Sequence, residues 1–329
     1  DPAQGGEFDL SQMSTNDIER IEIIRGPQSA LWGSDAMAGV INIITLPQEK
    51  HDAFSVGLLG GSFSTSQLTM SATKMMHNGT AKFDATRFES NGTNISREGN
   101  EDDGIENLTL GLSGDYSASD TFNLSYTIRF TDKKTEFDDV DYISTGLPTD
   151  ATFWSNSKYF YSGISLNHEL NEKIDQSLSF YRTDTDNTTV TNAATNSIAR
   201  AKKNAVKYQI NYYEKNNTIS LLAENETEDF EQRGQVSFFG DPNRDESNRT
   251  KSLAIEYRYD NDYLHLSTSA RYDGNKDFKD SKSWRVTGAF ENLGKTFYGS
   301  IGTSVKNPTF SERFGFFTNF IGNPKLKPE

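Results

Sequence analysis

After Lys50 the chain runs in segments of about ten residues in which apolar and polar side chains alternate strictly. TFNLSYTIRF is the clearest: Phe122, Leu124, Tyr126, Ile128 and Phe130 point one way, and Asn123, Ser125, Thr127 and Arg129 the other. A period of two is the geometry of a β-strand. NLTLGLSGDY repeats it with Leu108, Leu110, Leu112 and Tyr116, and VKYQINYY with Val206, Tyr208, Ile210 and Tyr212. LAIEYRY (Leu253, Ile255, Tyr257, Tyr259), YLHLSTSARY (Leu264, Leu266, Ala270, Tyr272) and FYGSIGTSV (Phe297, Ile301, Val305) follow the same rule. About 13 such strands are predicted.

The connections alternate as well. Ser117 to Asp120, Asn171 to Lys173, Glu214 to Asn217, Asp260 to Asp262 and Asn292 to Lys295 are tight turns. Ser90 to Gly104, Thr131 to Asn156, Asp186 to Ala201, Glu231 to Asn248 and Asp273 to Asp280 are long and polar. Short turns at one end and long loops at the other are the signature of an outer-membrane barrel. A mean hydropathy of -0.70 is no objection, because a barrel wall is apolar only at every second position. No apolar run is long enough for a membrane-spanning helix. The 14 Tyr and 22 Phe suit aromatic girdles at the two membrane interfaces. The soluble alternatives fit less well. Sandwich strands are shorter, about 5–6 residues, and a propeller would repeat a motif in every blade.

The first 49 residues read differently. TNDIERIEII offers Asn16 and Asp17 as N-caps, with Glu19 after them, and so a helix; RIEIIRG equally reads as a short strand stopped by Gly26-Pro27. SALWGSDAMAG is a turn or two of helix broken by glycines, and GVINIITL is a strand. The glycines Gly26, Gly33 and Gly39 do not have the spacing of a phosphate-binding loop, and no Lys-Ser or Lys-Thr follows them. They are expected to permit tight turns in a crowded lumen, with Ser34 and Asp35 placed to cap or hydrogen-bond there.

Few chemistries remain. With no cysteine there is no thiolate metal site or Cys nucleophile. His51, His77, His168 and His265 are isolated, and neither HExxH nor GxSxG occurs. A formal charge of -14 argues against nucleic acid and for divalent cations. EGNEDDGIE carries Glu98, Glu101, Asp102, Asp103 and Glu106; EFDDVDY carries Glu136, Asp138, Asp139 and Asp141, with Asp150 later in the same loop. Hard cations want six to eight oxygens. The spacing is not that of an EF-hand, and solvated loop charge is the competing reading.

DIERIEIIRGPQSALWGSDAMAGVINIIT resembles the C-terminal part of the plug of TonB-dependent outer-membrane receptors, and GNPKLKPE a signature in an external-loop region of their barrel. The plug motif maps onto Arg25, Gly26, Pro27, Gly33, Ser34, Asp35, Gly39 and Asn42. The resemblance implies an all-β transmembrane barrel, of which this would be the first part of roughly 22 antiparallel strands, with the C-terminal part of an α+β plug domain. Residues 1–49 would be plug and 50–329 barrel. The chain starts at Asp1 without an initiator Met and stops in a loop-like sequence, so it is expected to be an internal piece of a longer protein. It would then lack the TonB box. Within the family GEFDLSQM is similar to the cobalamin (vitamin B12) receptors. That branch implies calcium held in the external loops by Glu101, Asp103, Asp138 and Asp150, with Glu101 standing where Asp is expected and Asp150 needing a one-residue insertion. The resemblance further implies import of a scarce ligand, no covalent chemistry, and TonB, outer-membrane lipid and lipopolysaccharide as partners. Two readings compete with cobalamin. A ferric-siderophore or haem receptor shares the architecture and would use loop residues such as Phe137, Phe153, Trp154, Phe238, Phe239 and Arg244. A non-transporting barrel or adhesin would have no reason to carry a plug.

Overall fold

A computed structural model describes residues 8, 10, 13, 18–34, 36–44, 51–96, 99–192, 195–236, 238, 240–292, 294–317 and 320–329. The plug part is a two-stranded antiparallel sheet, β1 (Arg20–Arg25) and β2 (Gly39–Ile44), joined through a four-residue helix, α1 (Ser29–Trp32). RIEIIR is therefore a strand, paired from Arg20↔Ile44 to Arg25↔Gly39. The helical alternative fails because the isoleucines find a cross-strand partner in another β-branched run. Asn16, Asp17 and Asp35 lie outside the described residues, as does the expected boundary at residues 49 and 50.

The remainder is one 13-stranded antiparallel sheet in which each strand pairs with its neighbours in sequence. It comprises β3 (Ala53–Gly60), β4 (Ser66–Met76), β5 (Gly79–Thr93), β6 (Asp103–Ser119), β7 (Phe122–Val140), β8 (Pro148–Asn171), β9 (Ile174–Asn192), β10 (Thr195–Glu214), β11 (Asn217–Arg233), β12 (Arg244–Asp260), β13 (Leu264–Asn275), β14 (Ser281–Asn292) and β15 (Lys295–Gly302). A short helix, α2 (Phe310–Phe314), closed by a Thr309/Glu312 capping box, lays Phe310 on Phe230 of β11 with ring centroids 5.5 Å apart. The two-residue strands β16 (Phe316–Phe317) and β17 (Phe320–Ile321) follow it.

The expected tight turns all fall between strands, at one end of the sheet. The expected long loops are shortened rather than abolished: the strands run on into them, leaving residues 94–102, 141–147, 234–243 and 276–280 between strands. β8 has 24 residues, about 80 Å of chain at the usual rise, against an apolar band about 25 Å tall. Above the membrane both faces of a hairpin meet water. The alternation stops there, but the backbone ladder continues.

The two faces of the sheet are inverted relative to a soluble protein. Leu112, Ile128, Ile164, Phe180, Leu221, Leu253 and Ile255 are exposed, while Thr109, Thr131, Ser179, Thr185, Ser252, Arg271 and Asp273 are buried. Polar pairs line the inner face, as in Thr109 Oγ1 to Thr131 Oγ1 at 3.2 Å and Ser165 Oγ to Ser179 Oγ at 2.8 Å. Apolar side chains outside and hydroxyls inside is a stable arrangement only with lipid outside.

Among the described residues β3 and β15 have no second partner, so the sheet has two open edges. Expressed as these 329 residues alone and refolded in detergent, the chain is expected to aggregate. A heat-resistant, protease-protected band on a gel would contradict this.

Candidate functional site

Hairpins β5–β6 and β7–β8 place the sequence-predicted acids together above the apolar band. Carboxylate oxygens of Glu101, Asp103 and Asp138 all lie within 4.8 Å of one another. Backbone groups orient two of them. The Ile95 N–H donates to Asp103 Oδ2 at 3.2 Å, and the Ala151 N–H to Asp138 Oδ1 at 3.0 Å. The opposite oxygens, Asp103 Oδ1 and Asp138 Oδ2, are buried without a partner, as is Glu101 Oε2. Asp138 is only 8% exposed. An unpaired buried carboxylate oxygen is costly, and three converging on one point suit a cation.

Electrostatics agree with the geometry. Desolvation, and after it the charges of Asp103, Asp138, Asp150 and Glu136, push the Glu101 carboxyl above the usual carboxylate range. Asp103 is raised chiefly by desolvation and then by Asp138, Glu136 and Asp150. The all-oxygen donor set fits a hard divalent ion such as calcium.

Asp150 stands beside the cluster, its Oδ1 accepting from Asn94 Nδ2 at 2.8 Å. Gly99 makes that approach possible: its φ is +105°, and a Cβ there would collide with the Asp150 carboxylate. Glu136 is held below its usual range by Lys134 at 2.8 Å and accepts from the Gly104 N–H at 3.2 Å. Asp141 is spent on its own turn, taking the N–H groups of Ile143 and Ser144. Glu98 lies outside the described residues. The aromatic set is divided: Phe137 and Phe153 pair edge-to-face on β7 and β8, Arg244 sits over Phe314, Phe238 is fully exposed, and Phe239 is outside the described residues.

The plug motif lies against the inner wall. Gly26 follows β1 and donates to Ala38 O at 2.9 Å, with Pro27 next; Arg25 and Gly39 are partners, and Asn42 Nδ2 donates to Glu22 Oε2 at 3.1 Å. Gln28, with no side-chain hydrogen bond to the helix, is the N-cap of α1; Ser34 follows the C-cap Gly33. Helix α1 packs on β13 and β14. Gly33 has φ +87°, and a Cβ there would lie 3.4 Å from Arg271 Nη2. Nothing in the sequence distinguishes Arg271, since it occupies an ordinary polar position of an alternating strand. It bonds Asp273 Oδ1 at 2.7 Å, Glu224 Oε2 at 2.8 Å and Ser252 Oγ at 2.7 Å.

Residues 53–329 match the family described as TonB dependent receptor-like, beta-barrel, and residues 2–40 the TonB-dependent Receptor Plug Domain. The vitamin B12 transporter BtuB of Photobacterium profundum is 27% identical over 339 residues, covering 98% of this chain and 52% of that protein. The vitamin B12 transporter BtuB of Vibrio vulnificus is 26% identical over 329 residues, with the same coverage of 98% and 52%. The chain thus spans about half the length of these curated relatives. The crystal structure of the siderophore receptor PirA from Acinetobacter baumannii superposes with a TM-score of 0.78 at 17% identity, over 98% of this chain and 56% of that one. With an inverted barrel wall, a plug hairpin and a family match over most of its length, this chain belongs to the TonB-dependent receptors, β-barrel proteins of the Gram-negative outer membrane that are receptors rather than enzymes.

Proposed function

We propose that the whole protein is an active importer of cobalamin. External hairpins organised by a bound calcium ion capture the ligand, the plug closes the lumen at rest, and force from the TonB complex on a plug segment outside this chain releases it inward. The protein would contribute a difference in ligand affinity between two plug states, and the energy would come from the inner membrane. The observation that carries the reading is the cluster of Glu101, Asp103 and Asp138 with its unpartnered buried oxygens, at positions where likeness to the cobalamin receptors implies calcium. The two vitamin B12 transporters matched over 98% of the chain support the same ligand.

The full-length protein in detergent is expected to bind cyanocobalamin in equilibrium dialysis and to leave a ferric catecholate free. Retention of the catecholate and not of cyanocobalamin would move the assignment to a siderophore receptor.

A further inference from the structure

We propose that the Lys134–Glu136 ion pair sets the cation affinity of the acidic cluster: Lys134 holds a further carboxylate, Glu136, at the edge of the site and keeps it off the bound ion. The inference rests on the reading of Glu101, Asp103 and Asp138 as a calcium site. It gives a part to two residues outside the ligand set of that reading.

Glu136 lies two residues before Asp138 on β7. The β6–β7 register, carried one step past Ile105↔Thr135, sets it opposite Gly104, the residue after Asp103. Gly104 has no side chain, and a Cβ there would come within 2.9 Å of Glu136 Oε2. The carboxylate therefore reaches over the backbone beside Asp103, where the Gly104 N–H donates to Oε2 at 3.2 Å. Its charge acts on both Glu101 and Asp103. Glu101 Oε2, Asp103 Oδ1 and Asp138 Oδ2 are buried without a partner. Both oxygens of Glu136, by contrast, are engaged, Oε2 by Gly104 and Oε1 by Lys134 Nζ at 2.8 Å.

The register also explains why Lys134 turns to its own strand. Its cross-strand partner on β6 is Glu106, and Glu106 Oε2 accepts from Arg87 Nη2 at 3.1 Å. An ammonium bound to a carboxylate beside a divalent ion opposes that ion twice. It repels the ion directly, and it withholds an anionic oxygen donor. Calcium affinity rises with the number and charge of such donors. The Lys134 and Glu136 side chains are 38% and 36% exposed. An ion pair so open to water adds little to folding, so substitutions there leave the hairpins formed.

The test is equilibrium dialysis of radioactive calcium against the full-length protein in detergent, with no cobalamin present. Lys134→Met is expected to bind calcium about tenfold more tightly than the wild type, because it frees one carboxylate and removes one positive charge. Lys134→Arg keeps the ion pair and should stay within about twofold of the wild type. Glu136→Gln should bind about threefold more weakly. Added to Glu136→Gln, Lys134→Met should tighten binding by about threefold at most, since no carboxylate is left to release. Wild-type affinity in Lys134→Met would overturn the inference, as would a tenfold gain that persists beside Glu136→Gln. Calcium binding that Asp138→Asn leaves unchanged would instead overturn the reading of the cluster, and this inference with it.

Discussion

Stripping divalent cations from the full-length receptor with EDTA is expected to loosen hairpins β5–β6 and β7–β8 and to weaken cobalamin capture at least about tenfold, the calcium requirement lying in the range of roughly 10⁻⁴ to 10⁻³ M typical of extracellular sites. Asp138→Asn should imitate chelation, since it removes the most buried of the three carboxylates. Its cost in cation affinity should be no less than the roughly 10- to 100-fold that an outer-shell substitution costs. The pH dependence follows from the raised Glu101 and Asp103 carboxyls. A raised carboxyl favours the folded loops below its ordinary range and loses that contribution as pH climbs through the raised value. Without cation, protection of these hairpins from protease should therefore fall as pH rises from the ordinary carboxylate range, about pH 4, through the raised values. With calcium present it should hold across the same range. Affinity and protease protection unchanged by EDTA would sink the idea.

The second large effect belongs to Arg271. Its side chain is 4% exposed and sits between Asp273 and Glu224. Arg271→Met strands both carboxylates and removes the neighbour of Gly33 in the plug. The expected loss of stability is about 3–5 kcal/mol, the cost of breaking a buried pair by removing one partner. Thermal unfolding of the full-length protein in detergent measures it. Adding Glu224→Gln and Asp273→Asn to Arg271→Met should recover much of the loss, because no buried charge is then left unbalanced. An unchanged melting temperature for Arg271→Met would mean that solvation by water, not the guanidinium, stabilises the two carboxylates.

The wall of this protein is legible in the sequence because lipid enforces a strict rule. Phe122 to Phe130 must alternate, and so their strand is visible in one glance. The rule lapses where lipid ends. Residues 131–140 and 148–156 look like loop because polar and apolar side chains no longer alternate there, yet they lie in β7 and β8. The acids Glu101, Asp103 and Asp138 stand out only through family likeness, and composition leaves them as solvated charge. Their convergence depends on backbone donors at Ile95 and Ala151, residues with no sequence signal of their own. Arg271 is invisible for a related reason: an inward arginine satisfies the same alternation as an inward serine.

The order of pairing has a kinetic meaning. Every strand of the wall bonds its sequence neighbour, so the sheet grows by closing short turns such as Glu214 to Asn217, each at small entropic cost. Helix α1 is different. Its partners β13 and β14 follow it by more than half the length of the chain, and they must exist before it can dock. Wall pairing is therefore local in sequence, while docking of the stopper is not. Each molecule passes through a stage with a formed but unsealed wall.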